Sequence, residues 1–113
     1  MLLFKIMTSD EYTEYSSETL KCGVWSGSAL DTKDGFIHLS TQHQWASTAQ
    51  MFYSHFESLV LMHLEIDLEK GNIRWEGPDG QSYPHLYRQI STLDFFKAQN
   101  LTRKSDGSFQ VES

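Results

Sequence analysis

The sequence predicts an α+β fold: a largely antiparallel or mixed sheet accompanied by two or three helices. Residues 59–67 alternate, with Val60, Met62, Leu64 and Ile66 on one face and Leu61, His63, Glu65 and Asp67 on the other, the two-residue period of a strand. Residues 45–56 instead bring Trp45, Ala49, Phe52, Tyr53 and Phe56 to helical intervals, behind a Thr41–Gln44 spacing that suits a capping box. Strand-like segments then follow one another, so the helices fall early in the chain.

Residues 2–7 (Leu-Leu-Phe-Lys-Ile-Met) read as a first strand, Phe4 and Ile6 on one face and Lys5 on the other. A secretory signal has basic residues ahead of a longer apolar run, and here the lysine lies inside it. Ser9 or Asp10 is placed to cap a surface helix anchored by Tyr12 and Tyr15 and ending near Gly23; Asp10 and Glu11 suit the positive end of its dipole. Residues 24–35, with Ser26, Gly27, Ser28 and Asp34–Gly35, read as an irregular loop closing in a turn. Residues 36–40 form a short strand that leads into a helix over about 42–55. Gly71–Asn72 turns the chain into a strand near Ile73–Trp75, Pro78–Asp79–Gly80 makes a turn, and residues 84–90 form a further strand. Thr92 is expected to cap a short helix through Ala98, with Leu93 and Phe96 inward, and Asp106–Gly107 to make the hairpin turn before Phe109 and Val111.

At 113 residues, with no internal repeat or low-complexity tract, the chain is expected to be a single domain over residues 1–113. No run of about 18 apolar residues is present, so no membrane span is expected. One cysteine, Cys22, excludes an internal disulfide and fits a cytoplasmic setting. A net charge of −6 argues against nucleic acid as a partner, because phosphate tracking needs a basic face.

Two segments concentrate the chemistry. In Asp34–Thr41, strand alternation puts Phe36, His38 and Ser40 on one face, beside the start of the following helix. An imidazole and a hydroxyl there can hydrogen-bond a ligand, and helix amides after Thr41 would suit a phosphate or carboxylate. In Tyr83–Tyr87, His85 and Tyr87 share a face; if the two strands are neighbours, His38, His85 and Tyr87 line one cleft. Trp75–Glu76 offers an aromatic wall and a hydrogen-bond acceptor or general base. Each residue also has a structural reading: His38 as a core histidine, Ser40 or Thr41 as a cap, Tyr87 as core, His85 as an exposed side chain, Trp75 as a core plug, Glu76 as a solvated turn residue. The five histidines match no compact metal spacing and Cys22 has no local histidine partner, so neither a metal nor a cysteine nucleophile is expected.

The set Asp-Gly-Phe-Ile-His-Leu-Ser-Thr (34–41), Trp-Glu (75–76), Pro-His-Leu-Tyr (84–87) and Asp-Gly-x-Phe (106–109) resembles the domain-of-unknown-function 952 family over essentially the whole chain. The resemblance implies an ADP-ribosyltransferase-like fold, a split β-sheet clasping a nicotinamide dinucleotide. His38–Ser40 is also similar to the His-Leu-Ser strand of RNA 2′-phosphotransferases. What this implies is a nucleotide-shaped pocket for an NAD-like ligand, with His38, His85 and Glu76 as catalytic residues. Ser40, Thr41, Tyr87, Lys5 and Trp75 would be the binding residues. Lys5 stands where related transferases often keep a histidine, and the late catalytic glutamate of toxin-like members has no counterpart. The implied activity is ADP-ribosyl transfer or NAD-dependent phosphate removal; the alternative is a non-catalytic ligand-binding or interaction domain on the same fold.

Overall fold

The computed structural model describes residues 1–78 and 80–112, and its architecture is α+β with three α-helices. Strand β1 (Leu2–Met7) leads into α1 (Ser9–Cys22), β2 (Val24–Trp25), α2 (Ala29–Asp34) and β3 (Ile37–His38). Helix α3 (Trp45–Tyr53) precedes β4 (Ser58–Glu65), β5 (Ile73–Glu76), β6 (Tyr83–Leu86) and β7 (Ile90–Ser91). Strands β8 (Phe95–Arg103) and β9 (Phe109–Val111) complete the chain. The strands make a four-stranded sheet in the order β1-β4-β8-β9, a pair β2-β7 and a three-stranded sheet β3-β6-β5. Every strand pairing among the described residues is antiparallel. Among the described residues one isolated bridge ties β1 to the segment just after β3: Phe4 and Ser40 exchange both backbone hydrogen bonds at 2.8 Å.

Both faces of the large sheet are covered, which is why β1 and β4 are buried along nearly their whole length. Leu3, Met7, Val60, Met62, Leu64 and Ile66 turn to one core, shared with Tyr15 of α1 and with Ile37, Leu39 and Leu86 of the smaller sheet. Phe4, Ile6, Leu59, Leu61 and Leu101 turn to a second, closed by Ala49 of α3 and Phe109. Burying such side chains contributes about 1.5–3 kcal/mol each. By the same alternation Lys5 faces the first core with Leu3 and Met7.

Several sequence expectations are corrected. Thr8, rather than Ser9 or Asp10, caps α1, in a reciprocal capping box with Glu11. Residues 24–35 are ordered as β2 and α2, not an irregular loop; Ser28 and Asp31 form a second capping box and Gly35, at φ 85°, ends the helix. Helix α3 starts at Trp45 because Thr41 and Gln44 close a turn before it, and Phe52 points to solvent rather than to the sheet. Residues 92–98 are not a helix. Ser91 caps a single 3-10 turn, Thr92–Asp94, after which long-range pairing with β4 draws Phe95 onward into β8. Leu93 and Phe96 are therefore outward, 92% and 60% exposed. His63, expected on a polar face, is buried against Phe4 and bonded to Gln99. The segment 84–90 divides into β6 and β7. Of the turn Pro78–Asp79–Gly80, Asp79 lies outside the described residues.

No helix among the described residues is long and apolar enough to cross a membrane.

Candidate functional site

Antiparallel register brings the two histidine-bearing strands together. His38 of β3 lies opposite His85 of β6, and His85 lies opposite Arg74 of β5, so the three form one row across the small sheet. Ile37, Leu86 and Ile73 form the adjacent row and point the other way, into or against the first core. Alternation thus divides this sheet into an apolar back and a polar, aromatic front.

On the front, Phe36 stacks on His85 at 4.0 Å between ring centroids and lies 4.7 Å from His38 and 5.3 Å from Tyr87. The two imidazoles meet edge to face at 5.6 Å. Glu76 reaches the cluster from β5: its Oε1 accepts 2.6 Å from the Tyr87 hydroxyl and lies 3.0 Å from His85 Nδ1. The Tyr87 hydrogen bond, then that of His85, holds the Glu76 carboxyl below the usual carboxylate range. The same bond to Glu76 raises Tyr87. Arg74 lies over the Tyr87 ring, 4.5 Å from its centroid, a cation–π contact.

Behind His38 stands a buried charge pair. Asp31, 1% exposed, places Oδ1 at 2.6 Å from His38 Nδ1 and accepts the His38 amide on the same oxygen at 3.0 Å. Its Oδ2 accepts the Ser28 amide at 2.9 Å and lies 2.8 Å from Lys5 Nζ, itself 3% exposed. Burial alone would raise the Asp31 pKa; the His38 hydrogen bond and the Lys5 charge overcome it and hold the carboxyl well below its usual range. In front, Asp34 Oδ2, at the end of α2 and four residues earlier in the chain, lies 3.0 Å from His38 Nε2.

The structure brings His38, His85, Glu76 and Tyr87 to one surface and puts Lys5 beneath it. Ser40 is buried and tied by its backbone to Phe4. Thr41 is engaged in its turn: its amide donates to Gln44 Oε1, and its carbonyl accepts from the Gln44 and Trp45 amides. Trp75 pairs in register with Pro84 and so stands on the opposite face from His85. The front is open. Neither of two shallow surface hollows, about 470 Å³ beside Arg103 and about 400 Å³ beside Tyr12, is lined by these residues. Among the described residues no cluster of three or more His, Cys, Asp or Glu has the geometry to hold a metal ion.

Sequence reading missed Asp31 and Arg74. Asp31 lies in a segment whose composition reads as loop, although Ser28-x-x-Asp31 followed by Gly35 has the spacing of a short capped helix. Arg74 carried no local signal, because its position beside His85 depends on strand register.

The profile of a family described as "Protein of unknown function (DUF952)" matches residues 7–98. A crystal structure of protein CC0527 from Caulobacter crescentus is similar at 32% identity and a TM-score of 0.84, over 97% of this chain and 94% of that one. The solution NMR structure of the same protein gives 31% identity and a TM-score of 0.78, over 95% and 90%. No curated protein matches the chain.

Proposed function

The chain belongs to the DUF952 family, and we propose that the open face around His38 and His85 binds a nucleotide-like ligand of the NAD type and acts on it by acid–base chemistry. The observation that carries this reading is the cross-strand imidazole pair, with Asp31 at Nδ1 of one ring and Glu76 at Nδ1 of the other. A carboxylate at Nδ1 fixes tautomer and ring orientation and directs Nε2 outward, the arrangement of an imidazole that exchanges protons with a substrate. Two such rings side by side supply a base and an acid to neighbouring hydroxyl or phosphate oxygens.

The reaction class is ADP-ribosyl transfer or NAD-dependent phosphate removal on an ADP-ribosyltransferase-like scaffold, the reading that the His-Leu-Ser segment suggests. The ribose hydroxyls would bond to His38 and His85, and the nicotinamide ring would stack on Phe36 or Tyr87. Glu76 would face the positive charge that develops on the ribose as its bond to nicotinamide breaks. Lys5 acts only through Asp31.

Thermal unfolding with NAD and with ADP-ribose tests the proposal. The expected result is a stabilisation by millimolar ligand that His38→Ala and His85→Ala remove; no shift in the wild-type protein overturns it.

A second reading is favoured by one contact, Asp34 on His38 Nε2, which occupies the nitrogen a substrate would need. On that reading the face binds a nucleotide without turning it over. Release of nicotinamide from labelled NAD supports the enzyme, and binding without release supports the module.

A further inference from the structure

A lysine with its charge inside a small core calls for a reason, since a buried ion pair is on balance near neutral for stability against apolar residues of the same volume. The reason lies in the charge that His38 is left with. Asp31 carries one negative charge and Lys5 cancels it at 2.8 Å. The pair behind the ring is neutral, although Asp31 still accepts from His38 Nδ1. A protonated His38 therefore needs its counter-charge from the front, and Asp34 supplies it at 3.0 Å from Nε2.

The two aspartates are held very differently. Asp31 is fixed by the Ser28 and His38 amides, His38 Nδ1 and Lys5 Nζ. Asp34 is the last residue of α2, precedes Gly35, has a side chain 36% exposed, and makes only the His38 contact among the described bonds. One carboxylate is built in; the other can leave.

We infer that Asp34 is an exchangeable internal counter-ion, and that His38 Nε2 is the receptor for an anionic oxygen of the ligand, a phosphate group, which takes its place. This rests on the reading of the His38–His85 face as a ligand site and adds which ligand group binds there and under what conditions. The exchange replaces one anion by another, and the buried Lys5–Asp31 pair makes that possible without stranding a charge. Phosphate is favoured over a carboxylate because it presents three strong acceptor oxygens rather than two, and His85 and the Arg74 guanidinium stand in the cross-strand row beside His38. Opposing them on the same face is Glu76, whose Oε1 is engaged by Tyr87 and His85.

The geometry also sets the sign of the pH dependence. Protonated, His38 donates from both nitrogens and holds Asp34 or phosphate. Neutral, it keeps its one proton on Nδ1, toward the immovable Asp31, and Nε2 presents a lone pair that repels either anion. The charged and titratable groups facing the ring are Asp31 and Asp34 on α2, Lys5 on β1 behind Asp31, Arg74 and Glu76 on β5, His85 on β6, and Tyr87 just beyond it. None but His38 has both nitrogens placed to couple protonation directly to Asp34.

Titration of the ring resonances of His38 by NMR with inorganic phosphate tests the inference in the wild-type protein and in Asp34→Ala, an exposed substitution at a helix end. Wild-type His38 Nε2 is expected to shift with phosphate in acid, where an imidazole is protonated, and not at the higher pH of alkaline solution, where it is neutral. Asp34→Ala is expected to tighten phosphate binding about two- to fivefold at the lower pH, the affinity equivalent of an exposed ion pair. Unchanged or weaker binding in Asp34→Ala, or a phosphate response as strong at the higher pH, overturns the inference. NAD titrated in parallel separates the two proposals. A phosphate response at His38 without NAD binding supports the anion receptor and removes the nucleotide; NAD binding without a phosphate response at His38 does the reverse.

Discussion

Asp31 is the residue on which the candidate site turns, because it joins a lysine in the core to an imidazole at the surface. Asp31→Asn would leave the Lys5 ammonium buried without its counter-charge, and breaking such a pair typically costs about 3–5 kcal/mol. Urea denaturation should show that loss as a lower midpoint with little change in slope. The depressed Asp31 pKa also fixes a direction: its contribution to stability is complete above the unfolded carboxylate pKa of about 3.9 and is lost as pH falls below it. The Asp31→Asn protein should therefore lose less stability than wild type between neutral pH and acid. Glu76 and Tyr87 give a third test. Tyr87 titrates above its ordinary range because it donates to Glu76, so Glu76→Gln should move the Tyr87 midpoint down toward about 10, as followed by NMR.

At the scale of elements, α2 is the piece that makes the site. It is six residues long, and its Ser28–Asp31 capping box uses the same carboxylate that holds His38. Gly27 precedes its cap residue Ser28 at φ 105°, and a Cβ there would lie 2.6 Å from Asp31 Cβ. Gly27→Ala should combine backbone strain with displacement of Asp31, destabilising by more than the ordinary glycine-to-alanine change, about 1 kcal/mol or beyond. Its distinguishing signature is a changed His38 ring environment by NMR, which a loop substitution elsewhere would not give. The small sheet β3-β6-β5 presents the other half of the site. Its apolar row fastens it to the core while its front row is partly exposed, so alternation serves packing and chemistry at once.

Across the whole molecule the large sheet is the rigid body. β4 is paired on both sides, by β1 and β8, and covered by a core on each face. Amide exchange should be slowest along β4 and fastest at Gly77, Gly80 and Ser82 between β5 and β6, which are exposed to water. The site sits on the smaller sheet, tied to the large one through the Phe4–Ser40 bridge and the shared core. Slow exchange in β5 rather than β4 would contradict that ranking.

The sequence by itself determined what local pattern can express. The alternation of 59–67, the helical spacing behind Trp45, the Asp106–Gly107 turn and the placement of His38 and His85 on short strands were all legible, because each depends on neighbours a few residues away. It also carried the family likeness, since the motif segments are contiguous. The tertiary structure decided the rest. Strand pairing with β4 overrode the helix signal after Thr92 and turned Leu93 and Phe96 outward. Register set Arg74 beside His85 and turned Trp75 away. Packing against the core made Lys5, which the sequence places only on the face of its strand opposite Phe4 and Ile6, the buried partner of Asp31, from a segment that reads as loop. Those outcomes depend on residues from separate segments meeting in space, as Lys5 and Asp31 do from β1 and α2 and Arg74 and His85 from β5 and β6, and no local period records such a meeting.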